Sequence, residues 1–172
     1  MFQKILVAVD NSGAGEYVFR KALEVAKATG ASLMLLHVLS SEEEGYPAVP
    51  GYDFGIGVQD DVMRLYLQQW HEFREQGLEL LRSRIYEAVA AGVNAESHQV
   101  SGDAGKAICE EALVWGADLI VIGRRGRSGL SELFLGSTSN YVLHHAPCSV
   151  LTLQPLVSVP DEAIQTEQMM SI

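Results

Sequence analysis

Asp118-Leu-Ile-Val-Ile-Gly-Arg-Arg-Gly126, followed after nine residues by Gly136-Ser-Thr-Ser139, decides how this chain is read. The apolar run 118–122 has the character of a strand covered on both faces. Gly123 and Gly126 at its end let the backbone turn tightly and approach a ligand with no Cβ in the way. Gly136-Ser137-Thr138-Ser139 opens a new helical pattern, and a helix N-terminus presents unsatisfied N–H groups and positive dipole. A strand, a glycine loop and a helix start in this order describe a cradle for phosphate, and so point to nucleotide binding.

The same kind of strand recurs on either side. Lys4-Ile-Leu-Val-Ala-Val-Asp10 is continuously apolar and stops at Asp10-Asn-Ser-Gly13, a turn and cap cluster. Val18, Ala22, Val25 and Ala26 then fall at helical spacing within 15–29, closed by Gly30. Ser32 to Leu39 is a second buried strand, so the first two pair in parallel through a right-handed crossover. Residues 61–91 are strongly helical, with Gly77 expected to bend or fray them. The segment 94–100 alternates polar and small residues and reads as an edge strand. A helix over 104–116, the strand 118–122, a helix from 137 to about 145 and the strand Cys148 to Leu153 complete the pattern. Alternation of this kind gives an α/β fold, a single-domain open parallel five-stranded sheet with helices on both faces. Ligands in such sheets bind beyond the carboxyl ends of the strands, where Asp10 and the Gly123 loop both fall.

Two segments interrupt the rhythm. Residues 41–60 combine three consecutive glutamates with Gly45, Pro47, Pro50, Gly51, Gly55 and Gly57, and read either as a lid over a pocket or as an irregular insertion packed on the surface. Residues 155–172 carry three acidic side chains and no Lys or Arg, an acidic tail expected outside the core.

A chain of 172 residues suffices for one domain with a substantial core. Its net charge of −10 argues against a nucleic-acid surface or a membrane surface as partner. No apolar run has the length of a membrane span and the start lacks a signal pattern, so a cytoplasmic location is expected. Three of the 12 basic residues, Arg124, Arg125 and Arg127, nevertheless crowd the glycine loop, either to meet a small anion or as a solvated surface loop. Cys109 and Cys148 are too far apart for a metal or redox pair and read as small buried hydrophobes.

Several apparent motifs carry nothing. Gly102-Asp-Ala-Gly-Lys106 lacks the spacing of a phosphate loop and reads as a helix start. His144-His145 sits at a helix end that favours cations. No nucleophile elbow, metal-binding histidine pair or other catalytic set is present, and none of the four lysines falls in the cradle.

The Gly-x2-Gly-x9-Gly-Ser spacing resembles the universal stress protein family, specifically its ATP-binding branch. Ile5-Leu-Val-Ala-Val-Asp10, Leu36-His-Val38, Ala117-Asp-Leu-Ile-Val-Ile-Gly123 and His145-Ala-Pro-Cys-Ser-Val150 carry the likeness further, over 1–154. The resemblance implies a Rossmann-like domain, similar to the adenine nucleotide alpha hydrolases, with strand order 3-2-1-4-5. It implies ATP, ADP or AMP bound by Ala8, Val9, Asp10, Val38, Gly123, Arg124, Arg125, Gly126, Gly136, Ser137, Thr138 and Ser139. The base would lie near Val38 and beside His37, although a histidine in a buried strand is more often a satisfied core residue. Asp10 would face the ribose or a nucleotide-bound Mg²⁺, although Asp10 also suits a helix cap. It further implies a homodimer through Cys148–Leu153, and a stress-responsive sensor or signalling module with at most slow hydrolysis. Ser149 departs from the proline common in the family. An ATP-hydrolysing or nucleotidyl-transferring enzyme, and an interaction protein without nucleotide, are the alternative readings.

Overall fold

The computed structural model describes residues 1–49, 60–124 and 136–154. The order of elements is β1 (Lys4–Ala8), α1 (Gly13–Thr29), β2 (Ser32–Leu39), α2 (Asp60–Ala90), β3 (Ala95–Ser101), α3 (Ala104–Trp115), β4 (Leu119–Gly123), α4 (Ser137–His145) and β5 (Ser149–Leu153). The strands form one parallel sheet in the order β3-β2-β1-β4-β5.

Why the central strands lack alternation is plain from their two covers. On one face Ile5, Val7, Leu33, Leu35, Leu119 and Val121 pack with Phe19 and Ala22 of α1 and Leu81 and Ala88 of α2. On the other, Leu6, Leu36, Ile120 and Ile122 pack with Ile108 and Ala112 of α3 and Val142 of α4. Ile5, Leu6, Val7, Leu33, Leu35, Leu36 and Ile120 are fully buried, each contributing about 1.5–3 kcal/mol of burial free energy. The chain leaves β1 toward one face and β4 toward the other, so a crevice opens between these neighbours at their carboxyl ends. Their opposite ends are tied by Asp118, whose carboxylate accepts from the amides of Gln3 (2.7 Å) and Lys4 (3.1 Å).

Local signals set most boundaries. Gly30 and Gly116 close α1 and α3 in the left-handed conformation, with φ of 73° and 74°. Asp103 caps α3 by accepting from the Lys106 amide at 2.9 Å, the helix start expected at that glycine-rich stretch. β3 lies at the sheet edge, as its mixed polarity predicts.

α2 corrects one expectation. It runs unbroken for 31 residues, and Gly77 does not fray it. Gly77 instead admits a neighbour: a Cβ there would collide with the Gln99 amide and with the His37 ring, whose Nδ1 would lie 2.5 Å away. The helix spends propensity to let β2 and β3 side chains approach its backbone.

Candidate functional site

A cavity of about 550 Å³ opens at the carboxyl ends of β1, β2 and β4. Ala8, Val9, Asp10, Val38, Gly123, Arg124, Gly136, Thr138 and Ser139 all line it. Residues separated by up to 131 positions thus converge because three buried strands end side by side and α4 starts at the same level. Arg125 and Gly126 lie outside the described residues. Ser137 is exposed in the first turn of α4, beside the cavity wall formed by Thr138 and Ser139.

Asp10 follows β1 directly. Its Oδ1 accepts from the Ser12 amide at 2.9 Å and from the Ser12 hydroxyl. The cap of α1 is Ser12, whose Oγ accepts from the Gly15 amide at 3.0 Å, so the alternative of Asp10 as helix cap is not what the chain adopts. Gly15 packs against Asp10 so closely that a Cβ would stand 2.5 Å from the Asp10 carbonyl oxygen. Asp10 is therefore placed by its turn and held by the helix behind it.

At the opposite wall Gly136 precedes α4 and offers no side chain to cap it. The first turn of α4, with its free N–H groups and the positive end of the helix dipole, lies where Gly136, Thr138 and Ser139 line the cavity. Ser139 is buried and donates to the Gly136 carbonyl at 3.1 Å, bracing that turn. The Arg124 amide donates to the Leu153 carbonyl at 2.7 Å, and its guanidinium donates to Gln154 Oε1 at 3.2 Å, fixing a cation at the rim.

His37 takes a different place from the one the resemblance implies. Adjacent strand residues point to opposite faces, so Val38 lines the cavity while the His37 ring packs under α2. Its Nε2–H donates to Glu43 Oε1 at 2.8 Å and its Nδ1 accepts from the Gln99 amide at 3.1 Å. It is a satisfied core histidine. Glu43 Oε2 is buried without a hydrogen-bond partner among the described residues.

Sequence reasoning missed Ser40, Glu43, Glu44, Gln76 and Gln154, which also line the cavity. Ser40, at the C-terminal end of a buried strand, carried a usable positional signal. The glutamates lay in what read as irregular chain. The described part of that insertion, residues 41–49, packs on α2: Tyr46 meets Trp70 and Phe73 edge-on, at centroid distances of 5.0 and 5.8 Å.

Among the described residues no three His, Cys, Asp or Glu side chains are grouped to hold a metal ion. Asp10 alone, with one oxygen bonded to Ser12, fits a Mg²⁺ only where ligand phosphates supply most of its oxygens. His145 stacks on Tyr141 and donates to its carbonyl at 2.9 Å, a helix-end arrangement.

Cys109 and Cys148 are half-buried rather than buried. Burial pushes both thiols above the usual range; the Glu110 carboxylate adds to this for Cys109, and Asp118 and Cys109 add to it for Cys148. Because folding favours their protonated form, their contribution to stability is present at neutral pH and lost as pH rises through the raised values. Alkylation by iodoacetamide at pH 7.5, followed by intact mass, is expected to be slower than for free cysteine and to accelerate only in alkali. Labelling as fast as free cysteine at pH 7.5 would contradict this placement.

A family model described as the universal stress protein family matches residues 1–154. Universal stress protein Slr1101 of Synechocystis is 40% identical over 119 residues, covering 69% of this chain and 99% of its own. Among solved structures, a universal stress protein family protein from Arabidopsis thaliana with AMP bound superposes with a TM-score of 0.60 at 23% identity, covering 94% of this chain and 99% of its own. A universal stress protein in complex with cAMP gives 0.57 at 22% identity, covering 89% and 97%. The chain belongs to the universal stress protein family. Its fold is the Rossmann-like α/β sheet of those structures. Among the described residues no helix is long and apolar enough to cross a membrane.

Proposed function

We propose that this chain binds ATP in the cavity beyond β1, β2 and β4 and acts in the stress response as a nucleotide-sensing homodimer. The observation that carries this reading is convergence: nine of the twelve positions marked in the sequence line one cavity. The base lies toward Val38, the ribose toward Asp10, and the phosphates run toward Gly123, Arg124 and the start of α4. Arg125, Gly126 and Ser137 complete the phosphate end. Relatives solved with AMP and with cAMP support an adenine nucleotide as the ligand class. Any Mg²⁺ arrives with the phosphates and meets Asp10.

The chain's own groups bind and orient. Backbone N–H groups and hydroxyls at α4 hold phosphate oxygens, while Arg124 offsets their charge. Hydrolysis is at most slow in this reading. Occupancy is then the signal, acting by favouring whichever loop or interface arrangement binds nucleotide better. β5 is a sheet edge with half-exposed residues, which supports pairing between copies through this strand. Sedimentation is expected to give twice the 18.7 kDa chain mass; a monomer at all concentrations would contradict the dimer.

Native mass spectrometry of freshly purified protein tests the reading directly. An adenine nucleotide is expected to travel with the chain. A bare chain that also fails to take up ATP when it is added would overturn the proposal and favour an interaction protein.

A further inference from the structure

The loop after β2 lines the cavity with Ser40, Glu43 and Glu44, and its Glu42, beside that lining, touches α4. The Ser137 hydroxyl donates to Glu42 Oε1 at 3.1 Å and Oε2 at 3.2 Å, and the Thr138 hydroxyl donates to Glu42 Oε2 at 3.3 Å. These residues are 95 and 96 positions apart, so helix capping by a neighbour in sequence does not explain the contact. Glu42 is itself held in register. The Glu43 amide donates to the Ser40 carbonyl at 3.0 Å, the Glu43 side chain is gripped by buried His37, and Tyr46 is wedged against α2.

A carboxylate at this point resembles a phosphate group in charge and in acceptor geometry. It uses the same two hydroxyls and the same positive helix end that a phosphate would need. Each hydroxyl has a single proton to donate, so two anions cannot both be served. They would also repel one another across a few ångströms.

We infer that Glu42 is an internal competitor for the ligand's phosphates, a specificity-determining residue that disfavours ligands in proportion to the negative charge they bring to α4. The inference rests on the nucleotide site proposed above and adds its regulation. An incoming polyphosphate displaces Glu42 and thereby loosens one of the points holding residues 41–49. Nucleotide occupancy is in this way coupled to the loop after β2, and a ligand without phosphate leaves the loop where it is.

The full chain and its Glu42→Gln variant, both checked by thermal melting, are titrated calorimetrically with adenosine, ATP and tripolyphosphate, in EDTA and again with Mg²⁺. In EDTA, Glu42→Gln is expected to bind ATP and tripolyphosphate about fivefold tighter or more, the upper end for an exposed charge interaction, with adenosine unchanged. Glu42→Asp, one methylene too short to reach both hydroxyls, is expected to move the same way by less. Equal or weaker ATP binding by Glu42→Gln in EDTA overturns the inference while leaving the nucleotide site intact. An equal gain for adenosine overturns it too, by placing the effect at the base end. A loss confined to Mg²⁺ overturns it by making Glu42 a metal ligand. Failure of every probe to bind either protein overturns the proposed nucleotide site, and this inference with it.

Discussion

Gly15→Ala is expected to lower the melting temperature by roughly 4–8 °C and to weaken ATP binding about tenfold or more. The substitution improves helix propensity and would be mildly stabilising at an open site. Here the new methyl meets the Asp10 carbonyl oxygen, 2.5 Å from the ideal Cβ position, and the Asp10 carboxylate as well. A backbone oxygen at the end of a buried strand cannot swing aside like the tip of a long side chain. Either α1 lifts from β1 or the Asp10 turn shifts, at a cost of about 1–3 kcal/mol for overpacking. Both responses move Asp10 from the cavity wall, which is why stability and binding should fall together. Gly13→Ala is the control, since among the described residues nothing beyond its chain neighbours and its own helix backbone lies within 4 Å of its Cβ position. It should change stability by no more than about 0.5 kcal/mol and leave ATP binding in place. A Gly15→Ala protein as stable as the parent would refute the tight approach of α1 to Asp10.

Gly77→Ala should be the more destabilising change, by about 2–3 kcal/mol in urea unfolding, even though it replaces a mid-helix glycine. The propensity gain is about 1 kcal/mol. Against it stand a clash with the His37 ring and loss of the Gln99 amide bond that satisfies His37 Nδ1. His37 is 1% exposed, so the ring has nowhere to go and its nitrogen would be left unpaired in the core. Overpacking and an orphaned buried acceptor cost about 1–3 kcal/mol each. Adding Gln99→Ala to Gly77→Ala tests the mechanism: removing the crowding amide should make the combined loss smaller than the sum of the two single losses. A stabilised Gly77→Ala protein would contradict the packing.

These two glycines also mark where the sequence stops being readable. The strands were legible because burial on both faces leaves Lys4–Val9, Ser32–Leu39 and Asp118–Ile122 with no polar alternation, and β3 because its polarity mixes as an edge strand's does. Gly30 and Gly116 announced helix ends by occurring where periodicity stops. Such signals are local. The role of Gly77 is set by His37 and Gln99, 40 and 22 positions distant, and nothing within α2 distinguishes a glycine that frays from one that admits a neighbour. The cavity shows the same divide. Asp10, Val38, Gly123 and Gly136 stand at strand ends and a helix start, positions that the strand pattern identifies. Glu43 and Glu44 owe their places to a loop tethered by Tyr46 to Trp70 and Phe73, and the segment 41–60 reads either as a lid or as an irregular surface insertion, with nothing in it to single out a glutamate. The resemblance puts His37 beside the base with Val38, whereas its place in a buried strand suggests a satisfied core histidine, and strand alternation decides for the latter by sending His37 to α2 and Val38 to the cavity.

The central claim is that backbone and hydroxyl groups at the start of α4, together with the end of β4, hold the phosphates of an adenine nucleotide. Gly136→Leu tests it most directly, because Gly136 lines the cavity immediately before α4. In calorimetric titration the parent chain should bind ATP at one site per chain, and a folded Gly136→Leu protein should give no measurable heat of binding. Undiminished ATP affinity in that variant, with its sheet intact by circular dichroism, would contradict the account.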